Sequence, residues 1–118
     1  MHYVNITVLS EQDSQEVFAE YICVPEQNAV PFDDSVSFEQ GALFEPAAVA
    51  LHGLECLPYE GGKTVAILGG GTIGLLVMQW ANIYGAAKTV VFDIDDDRIK
   101  LAKEMGAYDG VNTLEEGF

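Results

Sequence analysis

Residues 65–80, VAILGGGTIGLLVMQW, carry no charge and hold Gly69, Gly70, Gly71 and Gly74 near their middle. Such a run can be a membrane span, a buried helix, or a strand that turns into a helix around a phosphate. The uncharged stretch extends from Thr64 to Tyr84, long enough to cross a bilayer. Gly70 and Gly74 also form G-x-x-x-G, a spacing that lets helices dimerise in lipid. Three consecutive glycines argue against a span, since each costs about 1 kcal/mol relative to alanine inside a helix. Gln79 and Asn82 would also lie in hydrocarbon without partners. A second apolar run of strand length, residues 88–94, follows at once. The stretch reads as strand, glycine turn and helix.

The surrounding pattern is that of an α/β chain. TVAIL (64–68) is a continuous apolar run, as a strand buried on both faces requires. From Thr72 onward, the apolar residues Ile73, Leu76, Val77, Trp80 and Tyr84 fall at helical spacing. KTVVFDI (88–94) is a second buried strand, and residues 98–105 form a short helix stopped by Gly106. GVN (110–112) starts a third strand. Strand–helix–strand–helix–strand predicts a parallel sheet with right-handed crossovers. Upstream, residues 3–9 and 17–24 are β-branched or aromatic and read as strands, with the polar residues 10–16 between them as a loop. Residues 28–37 read as an extended piece entering a turn. Ser37 and Gln40 match a capping box and mark a helix start, and Pro46 predicts a kink or break in that helix.

Gly69, Gly71 and Gly74 form G-x-G-x-x-G where the strand turns to helix. Gly69 permits the tight turn, Gly71 lets a pyrophosphate approach the backbone, and Gly74 lets the helix pack closely on the strand. The helix beginning at Thr72 offers unpaired N–H groups and a positive dipole end, which binds phosphate without lysine or arginine. Asp93 ends the next strand, 24 residues after Gly69. A carboxylate there accepts hydrogen bonds from adenosine ribose hydroxyls and repels a 2′-phosphate, so NAD is expected over NADP. The plainer alternative is a glycine-rich turn in an α/β domain that binds nothing. Asp95, Asp96 and Asp97 read as a solvated first helical turn, with Asp95 or Asp96 as N-cap. Arg98 either pairs with those acids or lies over the adenosine.

A formal charge of −14, with nineteen acids against five bases, argues against nucleic acid or an anionic membrane surface as partners. Cys23 and Cys56 are far apart and belong to no C-x-x-C, and neither His2 nor His52 stands at zinc-ligand spacing from them. Both cysteines are expected to be reduced, buried thiols. No basic segment followed by an apolar one opens the chain, so the expected setting is cytoplasmic.

FAEYICVPEQN, FEPAAVALHGL, GKTVAILGGGTIGLL and VVFDIDDDRIKLAKEMGA, in this order, resemble the middle of a zinc-dependent medium-chain dehydrogenase, with the flavour of the sorbitol and galactitol-1-phosphate dehydrogenases. The resemblance runs from about residue 17 to residue 112. It implies a partial Rossmann fold, the βαβαβ half with a parallel sheet, preceded by strands left from a GroES-like β-rich catalytic domain. Residues 1–41 would be that remnant and residues 42–118 the N-terminal half of an NAD-binding Rossmann domain. It further implies NAD as cofactor, zinc as a Lewis acid in full-length members, and a small polyol or alcohol as substrate. Gly69, Gly71, Thr72, Ile73 and Gly74 would hold the pyrophosphate, with Asp93 on the ribose and Arg98 near it. Glu45 matches the glutamate beside the family's zinc and its water; without the resemblance it reads as a helix-end acid.

The family's catalytic cysteine, its Gly-His-Glu zinc motif and its four-cysteine lobe would lie upstream of anything present here, and the second Rossmann half beyond Phe118. No residue of this chain is therefore assigned to a metal, and the chain alone is expected to show no turnover. The half-sheet would leave residues 64–68 on an open edge, which predicts a two-fold homodimer by strand pairing, unless the N-terminal strands cover that edge.

Overall fold

The computed structural model describes residues 2–3 and 25–115. The chain divides into two compact units, Met1–Glu45 and Pro46–Phe118. In the first, β1 (His2–Tyr3) pairs antiparallel with β2 (Pro31–Phe32) in the register His2↔Phe32, Tyr3↔Pro31. The strands expected over 17–24 and most of 3–9 lie outside the described residues, as does the loop between them. A 3-10 turn (Glu26–Asn28) precedes β2, and the Phe32 and Phe44 rings meet edge-on with centroids 5.7 Å apart.

α1 (Phe38–Gly41) starts at the expected capping box. The Gln40 amide donates to Ser37 Oγ, and the Ser37 amide donates to Gln40 Oε1 across 2.9 Å. No break occurs at Pro46, where a kink or break is expected: α2 (Phe44–Glu55) runs through the proline. The helical run breaks earlier, at Ala42 and Leu43, and α2 begins before the proline. Pro46 is the third residue of α2, where a missing amide leaves no helical bond unmade.

The second unit holds a three-stranded parallel sheet in the order β3 (Thr64–Leu68), β4 (Lys88–Asp93), β5 (Asp109–Asn112). Register runs Thr64↔Lys88 through Leu68↔Phe92, and Val90↔Asp109 through Asp93↔Asn112. α3 (Thr72–Ile83) packs on β3 and β4, and α4 (Asp96–Glu104) packs on β4 and β5. Ile67, Leu75, Met78, Val91 and Ala102 form the core between them, with Val65, Val77 and Ala107 against it. The α/β class and the parallel βαβαβ order are as the sequence predicts.

Two expectations about burial fail, those for β3 and for Cys56. β3 is not buried on both faces: Ile67 is buried, but Leu68, which alternation turns to the opposite face, is 85% exposed. The buried face of α3 is Leu75, Met78 and Ala81; Val77 packs partly against the core, while Ile73 and Tyr84 at the two ends of the apolar row are exposed. α3 is apolar nearly all round, so periodicity alone does not select its inner face. Trp80 instead turns its indole N–H to the Ala47 carbonyl at 2.9 Å, tying α3 to α2. Cys56 is likewise exposed rather than buried. It lies one residue past α2, and the i, i+4 spacing brings its Sγ to 3.7 Å from His52 Nε2 on the solvent side. Cys23 lies outside the described residues. Among the described residues no helix is long and apolar enough to cross a membrane.

Candidate functional site

The glycines at the end of β3 have separate tasks. Gly69 has φ +103°, a conformation that side chains rarely adopt, and its amide extends the sheet ladder to the Phe92 carbonyl at 2.8 Å. Gly74 lies against the Gly69 carbonyl so closely that a Cβ would overlap it. Gly71 is different. Its φ of −74° suits any residue, and a Cβ built on it would meet nothing within 4 Å. What the absent side chain leaves at Gly71 is open ground beside the start of a helix.

That helix is α3, with Gly71 as N-cap and no side chain capping it. The first helical bond runs from the Leu75 amide to the Gly71 carbonyl at 2.9 Å. The amides of Thr72, Ile73 and Gly74 thus precede the helical ladder and carry the positive end of the dipole. Thr72 and Ile73 are exposed and, with Gly69, Gly71 and Gly74, line a cleft of about 620 Å³ whose other wall includes Leu54 and Leu57. The space at Gly71 and the uncapped amides fit a pyrophosphate.

Asp93 closes the site at the end of β4. Its side chain is 4% exposed, and both oxygens accept hydrogen bonds. Oδ2 accepts from the Gly70 amide at 2.6 Å; Oδ1 accepts from the amides of Ile94 at 2.8 Å and Asp95 at 3.0 Å. The Gly70 amide is the largest influence holding its carboxyl below the usual 3.8. Burial opposes the shift, while the Asp95 and Ile94 amides and the Arg98 guanidinium reinforce it. A carboxylate has about four acceptor positions, so three amides leave one on Oδ2 for a further donor such as a ribose hydroxyl.

Arg98 pairs with the acids. Its Nη1 is 3.7 Å from Asp93 Oδ2 and its Nε 3.8 Å from Asp95 Oδ2, with the side chain half exposed. Asp95 is the N-cap of α4, accepting from the amides of Asp97 and Arg98. Residues 94–98 line a second cleft of about 550 Å³. Glu45 is exposed in the first turn of α2. No group of three or more His, Cys, Asp or Glu side chains suited to a metal occurs among the described residues.

Gly70 is the residue that motif reading passes over, being an unspecified position in G-x-G-x-x-G. A Cβ there would stand 3.3 Å from Arg98 Cβ and Val91 Cγ1, and 3.4 Å from Asp93 Oδ2. The signal was a run of three glycines with Gly70 in its middle. Its amide is the bond that joins the two halves of the site.

A glycine turn leading from a parallel strand into a helix, joined to an acid at the end of the neighbouring strand, defines a Rossmann-type βαβ unit. The family model for zinc-binding dehydrogenases matches residues 72–117. Galactitol 1-phosphate 5-dehydrogenase of Escherichia coli K12 is 39% identical over 98 residues, covering 83% of this chain and 28% of that protein. The crystal structure of the E. coli galactitol-1-phosphate dehydrogenase superposes with a TM-score of 0.74 at 38% identity, over 82% of this chain and 28% of that one. A Sinorhizobium meliloti 1021 protein assigned to the zinc-binding dehydrogenases, solved bound to NADP, gives 0.75 at 39% identity, over 79% and 27%. An E. coli CFT073 alcohol dehydrogenase complexed with NADH gives 0.72 at 29%, over 79% and 28%. Over the matched residues the chain is similar to a segment of the zinc-type medium-chain dehydrogenases, and it spans a little over a quarter of the length of the curated relatives it matches.

Proposed function

We propose that this chain is the cofactor-binding portion of an NAD-dependent, zinc-dependent polyol or alcohol dehydrogenase. The observation that carries this is the Gly70–Asp93 bond, which holds a phosphate-accepting turn and a ribose-accepting carboxylate as one unit. The bound dinucleotide would supply the hydride acceptor. The chain's own part is to hold it: the amides of Gly71, Thr72, Ile73 and Gly74 take the pyrophosphate, Asp93 takes a ribose hydroxyl, and Arg98 borders the adenosine. Glu45 remains the candidate beside the family's zinc.

NAD is the dinucleotide of this proposal. A 2′-phosphate would approach Asp93, whose carboxyl is held ionised, and Arg98 is already engaged by Asp93 and Asp95. The relatives do not decide the choice, one having been solved with NADP and another with NADH. The cytoplasmic setting belongs to the same proposal and suits a free, exposed Cys56 thiol.

Titration of the isotopically labelled chain with NAD tests the proposal by two-dimensional NMR. Amide shifts are expected at residues 69–74 and around Asp93, and Asp93→Ala should abolish them. Unmoved amides at millimolar NAD would overturn it.

A second reading rests on the β3 edge, where no described strand pairs beyond Leu68 and its neighbours. In it the chain is a non-catalytic binding or structural module that dimerises by pairing β3 with its two-fold copy.

A further inference from the structure

The carboxylate of Asp93 is aimed by amides in the turn that follows β4, so whatever fixes that turn fixes the site. Asp95 and Asp93 hold it only from within the β4–α4 segment. From outside that segment, the Asn112 side chain bonds to the turn and to the start of α4. Its Nδ2 donates to Asp96 Oδ1 at 2.7 Å and to the Ile94 carbonyl at 3.4 Å. Its Oδ1 accepts from the Leu114 amide at 2.9 Å, which braces the side chain from the other direction. The following residue adds a main-chain bond, the Thr113 amide to the Asp93 carbonyl at 2.9 Å.

We propose that Asn112, at the end of β5, is a positioning residue for the adenosine end of the dinucleotide. This rests on the dinucleotide reading of the site. Asn112 clasps Ile94 and Asp96; that sets the turn whose Ile94 and Asp95 amides grip Asp93 Oδ1. With Oδ1 so held, Oδ2 is left facing the Gly70 amide and a ribose hydroxyl. Asn112 also draws the Asp96 carboxylate toward β5, in a cleft that already carries Asp95 and Asp97. An amide side chain serves all three partners at once, donating to the Asp96 carboxylate and the Ile94 carbonyl while accepting from the Leu114 amide.

The test uses the whole chain and ADP-ribose as the probe, with binding read by calorimetry and the Gly70 amide proton by NMR. Asn112→Asp puts two carboxylates face to face. It should weaken ADP-ribose about tenfold, as loss of a charge-assisted bond does. It should also shift the Gly70 amide proton, which a general loss of stability would not single out. Asn112→Asp combined with Asp96→Asn re-forms the bond with donor and acceptor exchanged, and should bring binding back to within about threefold of wild type. Asn112→Ser, too short to reach both partners, gives the same weakening without added charge. Wild-type binding with undiminished affinity in Asn112→Asp and Asn112→Ser overturns the positioning role alone. So does a folded double variant that fails to recover. Failure of the wild-type chain to bind ADP-ribose instead overturns the dinucleotide reading, and this inference with it.

Discussion

The amide of Gly70 donates to Asp93 Oδ2 across 2.6 Å, linking two turns that lie 23 residues apart in the chain. One turn presents helix amides to solvent and the other presents a carboxylate. Their separation is thereby fixed before any ligand arrives.

Gly74 and Gly71 should separate stability from binding. Gly74→Ala drives a Cβ into the Gly69 carbonyl, a backbone atom that cannot rotate away, and should cost about 3 kcal/mol in urea unfolding. Gly71→Ala meets open space at an ordinary φ and should change stability by about 0.5 kcal/mol or less. The same variant should nonetheless lose NAD, because its methyl occupies the approach to the helix start.

The pH dependence of stability follows from Asp93 and Asp109, both depressed below the usual 3.8. For Asp93 the leading cause is the Gly70 amide; for Asp109 it is Lys103, whose Nζ lies 2.9 Å away. A depressed folded value means stabilisation fully present above 3.8 and lost as pH falls through the lower folded value. Unfolding midpoints should therefore decline below the ordinary aspartate range. Asp93→Asn should flatten part of that decline while lowering the neutral-pH plateau.

Gly110 sets the distance between α4 and β5. A Cβ there would stand 2.6 Å from Cγ2 of Ile99, a buried and β-branched side chain with little room to turn. Gly110→Ala should cost about 2 kcal/mol by denaturant unfolding. In an Ile99→Ala background the added cost should largely vanish, since the clashing methyl is gone.

Oligomeric state is measurable directly. Light scattering at high concentration should give the mass of a dimer if β3 pairs with its copy. Leu68→Lys, on a side chain already 85% exposed, should give a monomer with unchanged unfolding of the single chain. A monomeric wild-type chain removes the edge-pairing reading.

The glycine turn was legible because its residues answer to backbone needs: a positive φ at Gly69, a carbonyl against Gly74, open space at Gly71. Such needs are written locally. So were the Ser37 capping box and the Asp95 cap, each a bond within three residues. The inner face of α3 was not legible, because Ile73 and Leu75 are equally apolar and only the sheet chooses between them. Pro46 misled for the opposite reason, its effect depending on a helix start that lies two residues before it. Gly70 and Asn112 escaped notice because their partners are supplied by topology, Asp93 across the sheet and Asp96 sixteen residues away.

The packing of Gly74 against the Gly69 carbonyl has a kinetic consequence. A turn that its own backbone closes does not wait for a ligand to be shaped. Dinucleotide association should then be a single-step encounter whose rate grows linearly with concentration and shows no plateau from a slow closing step. The ordering entropy is already met in the free chain, so differences among dinucleotides will be written almost entirely in how long each one stays.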